Sequence, residues 1–364
     1  MIKNSPTIVL GLLGGALLGA AVSLSVAEAG PTQSDILPLS EVKPGMKGYG
    51  LTVFSGTTPE KFHVEIISTL TNFRPDQSLI LIKTPHHPRL DIAHTVAGMS
   101  GSPIYLEGKM IGAYAYGWTF GAEPIAGVTP IANMLSDLRK PIPPLFQPRR
   151  DLLPKKDAGA AAPPRKTTGL FERGASPLDY DLSAHAKQLA QKAQRERGSG
   201  LSTSTLAPAQ TPLLLGGMNP ASLAMAETLL APMGFVPVQA GGGGGKVAAD
   251  APTGFVDGGA IGVQLVRGDI SAMGLGTVTK VEGDKLIAFG HPMMGGGASD
   301  LPTAIAKVHW ILASTNRSFK IGEPVRPLGT LVNDRQASIV VDAKRVASSF
   351  PVSLKIEGVP GAPK

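Results

Sequence analysis

Glycine and proline interrupt this chain roughly every five residues, with 45 glycines and 32 prolines among 364. Proline removes a backbone N–H and glycine weakens a helix, so such punctuation disfavours a helical bundle. Short strands joined by many turns suit it better. Apolar residues make up 43% and charged residues 17%, which fits neither a disordered chain nor a multi-span membrane protein. We expect a mainly β protein, long enough for two domains with a core in each.

Four regions separate by composition. Residues 35–140 are dense in strand signals: Gly48 to Phe54, Phe62 to Ile67, Leu79 to Ile82, Lys109 to Tyr116 and Ile125 to Ile131. Ser55 to Pro59 reads as the turn of a hairpin-like pair, and Ala132 to Arg139 as a short closing helix. Residues 141–205 are rich in proline, alanine and basic residues, predicting a disordered linker with one polar helix inside Ser183 to Arg197. Residues 206–245 predict a small α/β unit. Pro212 to Leu215 is a strand, Asn219-Pro220 starts a helix to about Leu230, and Phe235 to Val238 returns as a strand. It ends in five glycines, 241–245, with no helix behind them to cradle phosphate, so they read as a connector. Residues 252–350 return to β character at 260–266, 273–281, 285–289 and 337–342, with Glu282-Gly283-Asp284 as a tight turn.

The first 29 residues have the parts of a secretory signal. Lys3 is the positive start, Thr7 to Val26 is uncharged and largely apolar, and Ala27-Glu28-Ala29 predicts cleavage before Gly30. The mature chain is then expected outside the cytoplasm, in the periplasm, the cell envelope or the medium. The alternative is an N-terminal membrane anchor, since about 20 residues just span a bilayer. The formal charge is +7, but residues 149–197 alone hold 11 Lys/Arg against 6 Asp/Glu. A solvated basic linker accounts for that surplus, and no aromatic residues interleave with it to stack bases. Nucleic acid is therefore not an expected partner, and membrane contact is expected only during export. The absence of cysteine excludes thiol catalysis, disulfides and cysteine-ligated metals.

The sharpest chemical signal is Gly98-Met99-Ser100-Gly101-Ser102-Pro103-Ile104. A nucleophilic serine needs a tightly turned backbone that exposes its hydroxyl and points N–H groups at a developing oxyanion. Glycines beside Ser100 permit such a turn, and the strand that follows anchors it. Read alone, the segment is equally a Gly/Ser-rich turn without activity. A second signal is Ala288-Phe289-Gly290-His291-Pro292, preceded by Gly274-Leu275-Gly276-Thr277-Val278-Thr279. An imidazole titrating near pH 6.5 can take the serine proton and return it to a leaving amine. His94, six residues before Ser100, is the other candidate base. His86 and His87 lie in a charged loop, His63 in a strand, His185 in the linker and His309 in a helix-like stretch. No histidine pair has zinc-peptidase spacing, and no metal or organic cofactor is implied.

Gly98 to Ile104, with Gly108-Lys109-Met110-Ile111-Gly112-Ala113 and Gly127 to Ile131, resembles the end of a trypsin-like barrel. It resembles more specifically the SpoIVB serine peptidase family, whose histidine lies in a Gly-His-Pro type motif like that of His291. The resemblance implies trypsin-like β-barrel halves, Ser100 as nucleophile, His291 as base, and the N–H groups of Gly98 and Ser100 as oxyanion hole. It implies a protein or peptide substrate and regulated, narrow cleavage. The chain departs from the family in two ways. Ser100 precedes His291, and the family's aspartate position reads Lys83-Thr84-Pro85. Asp91, Asp300 or a dyad without an acid remain open for orienting the imidazole. An exported endopeptidase, an inactive peptidase-like scaffold, and an envelope protein using its basic linker are the three readings.

Overall fold

The computed structural model describes residues 35–118, 121, 123–141, 184, 187–188, 191, 207–208, 211–231, 234–241, 247, 251–315 and 317–353. The predicted signal 1–29, nearly all of the linker and four of the five glycines lie outside the described residues. Ala184, Lys187, Gln188 and Gln191 are helical, inside the span expected to form a polar helix. Among the described residues, no helix is long and apolar enough to cross a membrane.

The first half contributes β1 (Lys47–Thr52), β2 (Glu60–Arg74), β3 (Gln77–Lys83), the one-turn α1 (Leu90–Ala93), β4 (Val96–Ala97), β5 (Pro103–Leu106), β6 (Lys109–Gly117), β7 (Ile125–Pro130) and α2 (Ile131–Arg139). The pairing order β5-β1-β2-β3-β7-β6, closed by β6 on β5, makes a six-stranded antiparallel barrel. Its interior holds Phe62, Val64, Ile66, Ile80, Ile82, Ile104, Tyr114 and Val128, all buried. Residues two apart on a strand face the same way, so the alternation Phe62, Val64, Ile66 turns one face of β2 inward.

After β8 (Ala207–Pro208) come β9 (Thr211–Gly216), α3 (Pro220–Leu230) and β10 (Phe235–Gln239). β9 and β10 pair in parallel, as a strand–helix–strand crossover requires. The Asn219 side chain accepts the Ser222 N–H at 2.9 Å, the cap expected from Asn-Pro. The unit joins the second half through β9 on β12.

That half contains β11 (Ala260–Val266), β12 (Ser271–Glu282), β13 (Lys285–Ala288), β14 (Gly297–Leu312), β15 (Ser318–Asp334) and β16 (Ile339–Asp342). Its order β12-β11-β14-β15-β16-β13, closed by β13 on β12, forms a second antiparallel ring of six. The protein is thus mainly β, as expected, with closed barrels of the trypsin-like kind. Two long strands, β14 and β15, escaped the sequence reading, as did the two-residue β4 and β8. His309, expected in a helix-like stretch, lies on β14.

The two rings meet on an apolar seam. Met110, Ala113, Ile131, Met134, Leu135 and Leu138 pack there against Ile287, Val332, Ala337 and Val340. Asp137 of α2 is buried in the seam and accepts the Ala337 N–H at 3.2 Å and the Ser338 hydroxyl at 3.5 Å. β4 leaves the first ring altogether and pairs in parallel with the start of β15, matching Val96 to Ser318 and Ala97 to Phe319. The residues that follow β4, the serine turn, are therefore stitched to the second barrel.

Candidate active site

The serine turn is built by two left-handed glycines, Gly98 with φ 93° and Gly101 with φ 98°. A side chain strains at such angles, which explains the Gly-x-x-Gly spacing around Ser100. Inside the turn the Met99 N–H donates to the Val96 carbonyl at 3.2 Å and the Ser102 N–H to the Met99 carbonyl at 2.9 Å. The Ser102 hydroxyl joins it at 2.6 Å. Outside, the Gly101 N–H donates to the Tyr114 carbonyl at 2.7 Å, tying the turn to β6. Gly101 has a second constraint. A β-carbon there would collide with the Thr277 carbonyl of the other barrel.

Thr277 is the residue that links the two motifs. Its N–H donates to the Ser100 carbonyl at 2.8 Å, and its hydroxyl donates to the Gly98 carbonyl at 3.0 Å. Thr279, on the same face of β12, donates its hydroxyl to the Gly101 carbonyl at 2.7 Å. The Thr277 carbonyl in turn accepts the Phe289 N–H at 3.3 Å. Phe289 and Gly290 are both left-handed, with φ 72° and 71°, and turn the chain into His291. Gly290 lies against Ala115 of β6, and its carbonyl accepts the Thr129 hydroxyl at 2.6 Å. Both turns therefore rest on β12 and on the first barrel at one seam. Ser100 and His291 are each 2% exposed.

His291 Nδ1 is 2.8 Å from the Pro292 carbonyl. A carbonyl only accepts, so Nδ1 carries the proton and Nε2 of the neutral ring is the basic nitrogen.

Residues 15–135 match the family model of the SpoIVB peptidase S55. The match covers about a third of the chain and includes the whole serine motif, but it ends well before His291. Over that part the chain is similar to a family of serine peptidases. No curated protein and no solved structure matches it.

The two expected acids lie in different settings. Asp91 is exposed on α1. Asp300 on β14 is held by the Arg345 guanidinium at 3.2 Å and the Ser348 N–H at 3.0 Å. Burial pushes the Asp300 pKa up, but those two partners outweigh it and hold the carboxyl below its ordinary value. His94 donates from Nδ1 to the Gly121 carbonyl at 2.7 Å. His87 stacks on Phe54, and burial lowers its pKa. Among the described residues no His/Asp/Glu cluster could hold a metal ion.

Sequence reasoning missed Asp334, at the end of β15. It is 2% exposed and accepts four backbone N–H groups, from Met293 at 2.9 Å, Met294 at 2.7 Å, Gly295 at 2.8 Å and, more weakly, Gly296 at 3.5 Å. A buried carboxylate can be satisfied by N–H groups alone when several converge on it. Here they pin the loop that leaves His291-Pro292. No local signal marks this aspartate, because its partners lie about 40 residues away.

Proposed function

We propose that this chain is an exported serine endopeptidase of the SpoIVB type. It acts on other extracytoplasmic proteins through an acyl-enzyme on Ser100. His291 Nε2 takes the Ser100 hydroxyl proton as Oγ attacks the scissile carbonyl. The oxyanion that forms is received by the N–H groups of Gly98 and Ser100. His291 then passes its proton to the leaving amine, and water, activated by the same imidazole, releases the acyl group.

The single observation carrying this reading is the Thr277 bridge, which bonds the Ser100 carbonyl through its N–H and the Phe289 N–H through its carbonyl. It ties a serine turn to a histidine turn although they lie far apart in sequence. The Pro292 carbonyl supports a dyad, because it selects the imidazole tautomer that a triad leaves to an aspartate.

A fluorophosphonate probe tests the reading. Wild-type protein is expected to be labelled at Ser100, and Ser100→Ala and His291→Ala to lose labelling while remaining folded. Asp91→Asn and Asp300→Asn are expected to label within about threefold of wild type, against the loss of about 10⁴ seen when a working triad loses its acid. A folded wild type that resists the probe would make the chain a peptidase-like scaffold instead. Export predicts a mature N-terminus at Gly30, read by N-terminal sequencing of protein recovered outside the cytoplasm.

A further inference from the structure

We propose that Lys320 is a positioning residue for the serine turn, acting through the Thr277 hydroxyl on the Gly98 carbonyl. The inference rests on the peptidase reading above. Lys320 lies on β15 immediately after the two residues that pair with β4, and it is fully buried. Its aliphatic stem runs under the turn, with Cβ, Cγ and Cδ 3.1–3.3 Å from where a Gly98 β-carbon would stand. Its amine donates to the Thr52 hydroxyl at 2.6 Å and to the Thr277 hydroxyl at 3.4 Å. Thr277 has one hydroxyl hydrogen, which goes to the Gly98 carbonyl, so it receives the amine through a lone pair. One amine thus joins the end of β1 in the first barrel, β12 and β15 in the second, and the first glycine of the serine turn.

Two facts argue that this is more than packing. Among the described residues Lys320 makes no ion pair, and burying an amine without a counter-charge is unfavourable where a methionine would fill the same space. The amine also sits where both barrels and the expected oxyanion turn meet. The Gly98 carbonyl belongs to the Gly98–Met99 peptide, which lies between the expected donors, the N–H groups of Gly98 and Ser100. Loss of the hydroxyl that holds it lets the expected donors drift from the oxyanion position, and misplacement of about 1 Å costs on the order of 100-fold in rate.

The experiment separates the maximal rate of fluorophosphonate labelling from the affinity for the probe, in wild type, Lys320→Met, Thr277→Val and Thr277→Ser. We expect Lys320→Met to keep the fold and the probe affinity while its maximal labelling rate falls by roughly 10- to 100-fold. Thr277→Val is expected to fall similarly, Thr277→Ser to recover most of the rate, and the Lys320→Met/Thr277→Val double variant to lose little beyond either single change. A purely structural lysine would instead lower the melting temperature and leave the rate of the folded fraction unchanged. Wild-type rates in folded Lys320→Met overturn the proposal. Should Lys320→Met not fold, a wild-type rate in Thr277→Val overturns it by itself. An unlabelled but folded wild type overturns the peptidase reading, and this inference with it.

Discussion

Thr277 uses its N–H, its carbonyl and its hydroxyl on three different partners, and none of these contacts is local in sequence. The same holds for Lys320 and Asp334, whose roles come from what the fold brings to them. Each makes a prediction. Burial lowers the Lys320 pKa from 10.5 to about 7. Between those values the unfolded chain binds a proton that the native one does not, so stability conferred by this group rises with pH from about 7 to about 10.5. Lys320→Met removes the burden. It should be more stable than wild type at pH 7, on the order of 2 kcal/mol, and thermal denaturation should show that advantage shrinking by pH 10. Asp334→Ala acts oppositely. It orphans the N–H groups of Met293, Met294 and Gly295, and should cost about 3 kcal/mol in denaturant titration. It should also slow Ser100 labelling, because the loop after His291 is released.

Strands with a clear signal were legible in the sequence. β1, β3, β6, β7, β11 and β13 coincide with short β-branched or apolar runs bounded by turns. β14 and β15, the two longest, were not. β14 mixes Ala304, Ala306, Lys307 and His309, and β15 carries Pro324 and Pro327, which lie where the register with β14 shifts. Bulges break the period of two and let proline into a sheet, so the pattern that betrays a regular strand is lost. The element that carries Ser100 is legible for a different reason, since its glycines are required by backbone angle. Gly101→Ala tests this. It combines a left-handed φ with a collision against β12, and should destabilise the protein by at least 3 kcal/mol or prevent recovery of folded chain.

The molecule is two rings of six strands sharing one seam, with the serine turn lent by the first ring and the histidine turn by the second. Each turn hangs from its own ring and is clasped across the seam, so the order of the rings along the chain does not decide whether the turns meet. This is the physical reason that a serine motif preceding its histidine is compatible with one site. The seam itself is held by the apolar contacts of α2 and by Asp137. Asp137→Ala should cost about 2 kcal/mol by leaving the Ala337 N–H and the Ser338 hydroxyl short of an acceptor. Thermal unfolding would show whether this loss falls on one cooperative transition or separates the two rings.

The sequence by itself determined the β class, the α/β unit with its Asn-Pro cap, and the two turns around Ser100 and His291. Those features depend on backbone angles, hydrophobic period and capping, all of which act over a few residues. Only the tertiary structure decided that both turns rest on Thr277, that Pro292 orients the imidazole, and that Lys320 and Asp334 stand behind the two loops. Pro292 apart, these are contacts between strands and turns that are not neighbours in the sequence. A buried amine or carboxylate carries no local mark of its partners, because what makes it tolerable is supplied by chain that arrives from elsewhere.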